Sequence, residues 1–211
     1  MKQNSEYRAQ ARAALEGRWT EAVLMFLILI IVACAFSAPL GSGIYAKYMS
    51  GCSLLVSVLL VMPLEYGWNN ALLSFLRSNE EKISGFSEML HFFRRDYARS
   101  VPALLLVMIF STLLGIVTLG IGTIVLNYVY AIVPYLLRDY PELSAREALR
   151  TSSQMMKGHK WDLFVLDLSF IGWILLGIMT AGIGLVWVAP YMDTTHAAFY
   201  EDLKNECIEE E

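Results

Sequence analysis

The chain has 211 residues, 56% of them hydrophobic and only 17% charged, with a mean hydropathy of +0.50 and a formal charge of −4. A soluble domain of this size carries more charge and lacks repeated runs of 18 or more residues nearly free of it, so the composition specifies a membrane protein. The excess acid sits in loops and tails, and no phosphate-binding glycine loop, zinc-finger spacing or nucleophile elbow occurs, so nucleic acid, cofactors and enzymatic catalysis are not expected.

In chain order, residues 5–16 read as a short polar helix: Ser5 can cap it, Tyr7, Ala11, Ala14 and Leu15 form one stripe, and Gly17 ends it. An apolar span of about 20–38 follows, closed by Pro39. Ile31-Val32-Ala33-Cys34 superficially resembles a lipoprotein cleavage box, but the apolar run continues through Ala35-Phe36, so an uncleaved span is expected. Cys34, Cys52 and Cys207 show neither metal spacing nor an even count, and no disulfide is expected. A loop over 39–52 carries Lys47. The second span, about 53–76, holds Pro63, Glu65, Trp68, Asn69 and Asn70 in its second half.

A second polar segment, 80–99, puts Ile83, Phe86, Leu90, Phe93 and Tyr97 on one helical face and clusters Arg94, Arg95 and Arg99 at its end. Spans of 101–118 and 121–138 then form a hairpin about a glycine turn. A third polar helix starts at a capping box, Ser144 with Glu147. Its apolar face is Ala145, Ala148, Leu149, Ser152 and Met156, its basic side Arg146, Arg150, Lys157 and Lys160, and Gly158 is placed to end it. Trp161 leads into a last hairpin of 163–180 and 183–200, where glycines 177, 182 and 184 allow close backbone approach. The turn LLGIVTLGIG (113–122) matches LLGIMTAGIG (175–184) at eight of ten positions, at an offset of 62. Three repeat units result, approximately 1–77, 78–140 and 141–203, before an acidic tail at 204–211. Each second span carries a proline (Pro63, Pro134, Pro190) that favours a kink.

The fold expected is therefore all-α and integral to the membrane. It has six transmembrane helices arranged as three hairpins, each preceded by a cytoplasmic amphipathic helix lying at the interface. Fifteen of the sixteen Lys and Arg residues fall on the side of the termini and polar helices, against Lys47 on the other, which makes both termini cytoplasmic.

The opening ARAALEGRW, the segment SAREALRTSSQMMKGHKWDLFVLDLSFIGW and the ending GIGLVWVAPYMDTTHAAFYEDL are similar to the bacterial membrane family known as domain of unknown function (DUF) 975. The resemblance covers nearly the whole chain and is most specific in its middle and final segments. It implies a multi-pass protein of the bacterial cytoplasmic (inner) membrane, and it brings no catalytic residues with it.

Ionisable groups at membrane depth cost a few kcal/mol on insertion scales. Glu65 and Asp193 lie about midway along their spans, His196 is one helical neighbour from Asp193, and Asp167 is nearer the cytoplasmic end. They form a candidate intramembrane polar site, able to bind a cation or relay protons if they share a cavity. The competing reading makes them hydrogen bonds between helices, with Thr194, Thr195, Asn69, Asn70 and Tyr66 as available partners. Arg94, Arg95, Arg99, Arg146, Arg150, Lys157 and Lys160 are candidate contacts to anionic lipid headgroups. His91 and His159 lie on the same polar helices, and the five tryptophans read as interface anchors or packing. A membrane-organising or accessory protein is the function favoured at this point, with anionic lipids and a membrane-protein partner or second copy as partners. The alternative is a small transporter or channel subunit using Glu65, Asp193 and His196.

Overall fold

The computed structural model describes residues 2–37, 57–77, 85–95 and 97–209. Among the described residues all regular structure is helical. Helix α1 (Asn4–Leu15) turns through 95° into α2 (Trp19–Ser37). A π-helical turn, Ser57–Val61, runs into α3 (Met62–Arg77), followed by α4 (Gly85–Arg95), α5 (Tyr97–Val117), α6 (Ile121–Val129), α7 (Val133–Asp139), α8 (Ala145–Met155), α9 (Lys160–Leu168), α10 (Ile171–Met179) and α11 (Leu185–Glu209). The loop with Lys47 and Cys52, and Ile83, lie outside the described residues.

Three segments are long and apolar enough to cross a membrane, Ser100–Val117, Ile121–Asp139 and Lys160–Met179, and a fourth if α1 and α2 are taken together. Of the other expected spans, α3 is too short at 16 residues and α11 is too polar. Eleven of the sixteen residues of α3 are buried, Trp68, Asn70 and Ser74 among them. This helix contributes to all three apolar clusters of the core: Leu73 to the first, with Tyr7, Tyr135 and Phe199; Leu64, Trp68 and Phe75 to the second, with Leu15 and Met25; and Tyr66 to the third, with Val133 and Leu149. The hub is thus α3, whereas the sequence is most regular in its last third.

The two glycine turns have one design. Leu119-Gly120 and Ala181-Gly182 both adopt consecutive left-handed conformations (φ 52° and 92°; 56° and 86°). In each, the preceding threonine hydroxyl accepts a hydrogen bond from an amide four residues on, Thr118 from Gly122 at 2.7 Å and Thr180 from Gly184 at 2.8 Å. A Cβ added at Gly184 would stand 2.9 Å from Gly177 Cα, so these two glycines do set the close approach. Around the turns the surface is apolar and open: Val117 is 80% and Leu119 94% exposed. That is a surface for lipid or protein rather than water.

Of the three prolines, Pro134 coincides with a break, the three residues 130–132 between α6 and α7. Pro190 is carried within an unbroken α11, and Pro63 sits in the first turn of α3 behind the π-turn. Because the π-turn runs directly into α3, Pro63 lies within a continuous helix, and the shifted ladder of that turn accommodates the amide it lacks.

The polar helices use their apolar faces on the protein itself. Tyr7, Ala11 and Leu15 of α1 are buried, as are Ala148, Leu149 and Ser152 of α8 with Met156 just beyond it, and the Ser144–Glu147 capping box forms. Helix α4 instead turns its apolar stripe outward. Met89 is fully buried, while Phe86 (44%) and Leu90 (39%) of that stripe are exposed. Glycines explain how α4 packs without the stripe. At Gly67 the Met89 carbonyl would be 2.4 Å from any Cβ, so α3 meets the α4 backbone there, and at Gly85 the Phe75 ring and the Met25 methyl occupy the place of a Cβ.

The N-terminus is tied to α11. The Tyr7 hydroxyl donates to Asp202 Oδ2 at 2.6 Å, the Lys2 amide to the same oxygen at 3.0 Å, and Lys2 Nζ lies 3.2 Å from Oδ1. Burial alone would push the Asp202 carboxyl up, but the hydrogen bonds from Tyr7 and Lys2 outweigh it and hold it below the ordinary carboxylate value. A folded-state value below the unfolded one gives stability that is present above about pH 4 and is lost as pH falls through the folded value. Acidification is therefore expected to loosen α1 by on the order of 1 kcal/mol. Amide protection factors of residues 4–15, taken relative to the unfolded chain at the same pH, should fall below about pH 4 in the unmodified protein and show no such step in Asp202→Asn.

Candidate functional site

Helices α3, α5 and α6 border an open cavity of about 690 Å³ whose polar lining is Glu65, Tyr66, Asn69, Ser111, Thr112, Thr123 and Asn127, the remainder being apolar. Each polar group arrives there for a local reason. Glu65 follows Pro63 on the one side of α3 that the core does not cover, and is exposed to the cavity. Asn127 lies 62 residues after Glu65, the offset between the glycine turns, and projects from α6 into the same space. Gly115 lets Thr123 approach α5: a Cβ there would be 2.2 Å from the Thr123 hydroxyl oxygen, and that hydroxyl donates to the Ser111 carbonyl at 3.0 Å.

Among the described residues the Glu65, Asn69 and Asn127 side chains form no hydrogen bond or ion pair, and the buried Ser111 hydroxyl has no partner. Of the four, only the Ser111 hydroxyl is buried; Asn69 is half-buried and Glu65 and Asn127 are exposed, so uncommitted polar side chains line a cavity that is open on one side.

Asn127 is also a wall of a smaller cavity, about 280 Å³, that reaches Tyr128, Asp167 and His196. Here His196 Nε2 is 2.6 Å from Asp167 Oδ1, and the Tyr128 hydroxyl donates to Asp167 Oδ2 at 2.9 Å. The remaining expected site residue, Asp193, accepts from Trp68 Nε1 at 2.8 Å and lies near enough to Glu65 for their charges to act on each other. The four residues are thus gathered in two adjoining compartments: Glu65 in the larger, Asp167 with His196 in the smaller, and Asp193 on a tryptophan. No three His, Cys, Asp or Glu side chains among the described residues converge as a metal site.

Of the side chains nominated as partners for the carboxylates, Asn69 stays uncommitted and three bond elsewhere. Thr194 and Thr195 bond the Pro190 and Tyr191 carbonyls, and Asn70 donates to the Tyr66 carbonyl. Trp68 and Tyr128 take that role instead. A tryptophan three residues from a mid-span glutamate was the available signal for the first; nothing in the sequence distinguishes Tyr128 from its neighbours. Of the basic residues, Arg146, Arg150 and Lys157 are exposed and Lys160 half-buried, while the side chains of Arg94, Arg95 and Arg99 lie outside the described residues.

The family model described as protein of unknown function (DUF975) matches residues 100–206, from the start of the α5 span to within the last turn of α11. The chain belongs to the DUF975 family. No curated protein and no solved structure matches it. The matched DUF975 region contains Asn127, Tyr128, Asp167, Asp193 and His196, whereas Glu65 and Trp68 come from the segment before it.

Proposed function

We propose that this DUF975 protein is a multi-pass membrane protein whose polar chamber takes up a monovalent cation, the proton included, at Glu65. The observation that carries this reading is the unpartnered Glu65 carboxylate facing a cavity of about 690 Å³, when Asp167, Asp193 and His196 all have partners. A charge in a span costs several kcal/mol, and a fold that only needed a helix contact would have paired it. Asn127, common to both compartments, connects Glu65 to the Asp167–His196 pair, and the chain of side chains resembles those through which ions or protons move. The role is binding and passage rather than catalysis.

In this reading the two inward-facing helices, α3 and α11, join α2, α5, α6–α7 and α9–α10 as six spans. The polar helices and both termini then face the cytoplasm, in a bacterial inner membrane, as the distribution of fifteen Lys and Arg against Lys47 requires. The open apolar surface at the glycine turns is covered by lipid or a second copy.

The test separates the two carboxylates. In reconstituted vesicles, Glu65→Gln is expected to reduce proton or monovalent-cation flux at least tenfold while leaving thermal stability in detergent unchanged or higher, as for a group retained at a cost to the fold. Asp193→Asn, which weakens a charge-assisted hydrogen bond from Trp68, is expected to lower stability by about 1–2 kcal/mol. Flux that survives Glu65→Gln would sink the proposal. The accessory reading would then stand, supported by the outward Phe86 and Leu90 of α4.

A further inference from the structure

Outside the chamber, two cavities on the other side of α5 run into one another. The first, about 510 Å³, is bounded by Leu106 and Phe110 of α5, Tyr130, and Arg146 and Arg150 of α8. The second, about 360 Å³, shares Phe110 and Tyr130 with it and continues between Leu113, Val117 and Leu126. Together they make a groove that is basic at one end and wholly apolar at the other.

The basic end is unneutralised. Arg146 and Arg150 are one helical turn apart on α8, exposed, and without a hydrogen bond or ion pair among the described residues. Glu147 between them is turned back onto the Ser144 amide and hydroxyl at 2.8 and 2.6 Å. No acidic side chain lines either cavity. The apolar end is half open: Phe110 and Leu113 stand on one face of α5, a turn apart, with about half of each side chain uncovered. From Leu106 to Val117 the helix rises about 16 Å, comparable to half the ~30 Å hydrocarbon layer and hence to one acyl chain.

We propose that this groove binds one anionic phospholipid, its phosphate between Arg146 and Arg150 and an acyl chain along Phe110, Leu113 and Val117. Two guanidinium groups suit a phosphate, which they can hold by forked, charge-assisted hydrogen bonds, and the apolar continuation selects a lipid over a free anion. The site is independent of Glu65, which lies in a different cavity.

The full-length protein, delipidated in a neutral detergent, would be titrated with phosphatidylglycerol and with phosphatidylcholine carrying the same chains, with bound lipid counted by native mass spectrometry. One phosphatidylglycerol per chain is expected to be retained at least tenfold more tightly than phosphatidylcholine, and glycerol phosphate alone is expected not to displace it. Arg146→Gln with Arg150→Gln should abolish that preference, and Leu113→Trp, which fills the apolar end, should weaken retention with both arginines in place. Equal retention of the two lipids by the unmodified protein, or displacement by glycerol phosphate at equal concentration, would overturn the proposal. So would a folded double variant that keeps its preference.

Discussion

Replacing Asp139 by alanine is expected to lower stability by about 3 kcal/mol, more than any other single change at the polar end of the bundle. Asp139 is 6% exposed and receives four hydrogen bonds: a fork from Arg77 Nη1 and Nη2 at 2.7 and 2.6 Å, one from Lys204 Nζ at 2.6 Å and one from the Tyr200 hydroxyl at 3.0 Å. Arg77 also donates from Nε to Glu201 at 2.7 Å. The ends of α3, α7 and α11 are thereby tied together through one buried carboxylate. Removing it leaves Arg77 and Lys204 partly enclosed without their shared acceptor, which is the costly way to break such a network. Glu201→Gln should cost at most about 1 kcal/mol, because that carboxylate is 31% exposed and Arg77 keeps its fork. Thermal unfolding in detergent of Asp139→Ala, Arg77→Ala and the pair gives the coupling directly; a coupling below about 0.5 kcal/mol would mean the fork is ornamental.

That network shows what the sequence held and what it hid. Residues 77, 139 and 201 are spaced by 62, the offset that aligns the two glycine turns. The spacing was therefore readable, but nothing in an Arg, an Asp and a Glu at equivalent positions says that they meet. The faces of α1 and α8 were legible from their periodicity, since their apolar residues recur at helical spacing and are the ones buried. The inner contact of α4 was not, because periodicity reports which residues are apolar and cannot report that Gly67 brings α3 against the Met89 backbone.

The candidate site divides in the same way. Glu65 and Asp193 at mid-span, with Asp167 and His196 in the same apolar runs, announced themselves by the cost of placing charge there. Their pairing did not follow from sequence proximity: His196 is one turn from Asp193 yet bonds Asp167 on α9, and Asp193 bonds Trp68 on α3. Composition gave no sign of the cavity, whose existence depends on helices α3, α5 and α6 failing to close against one another. The unpartnered state of Glu65 is a property of that gap.

Gly67→Ala is expected to be the most damaging single-methyl addition among the described glycines, costing about 3 kcal/mol or more. The added Cβ would sit 2.4 Å from the Met89 carbonyl oxygen and 3.2 Å from its carbonyl carbon, both backbone atoms that cannot rotate aside as a side chain would. Relief requires α4 to move off α3, which uncovers Met89, fully buried in the cluster formed with Trp68, Phe75 and Leu15. An alanine has the better intrinsic helix propensity by up to about 1 kcal/mol, so the sign of the result distinguishes packing from propensity. Gly172 of α10 supplies the internal control, for nothing lies within 4 Å of a Cβ there. Gly172→Ala is expected to leave thermal stability in detergent unchanged or slightly raised, and Gly67→Ala to lower it sharply. Because α3 carries Glu65 as well as Gly67, a displaced α4 should also disturb the chamber, so cation flux in vesicles is expected to fall in Gly67→Ala and to persist in Gly172→Ala. Equal behaviour of the two variants would mean that α3 and α4 are not in backbone contact.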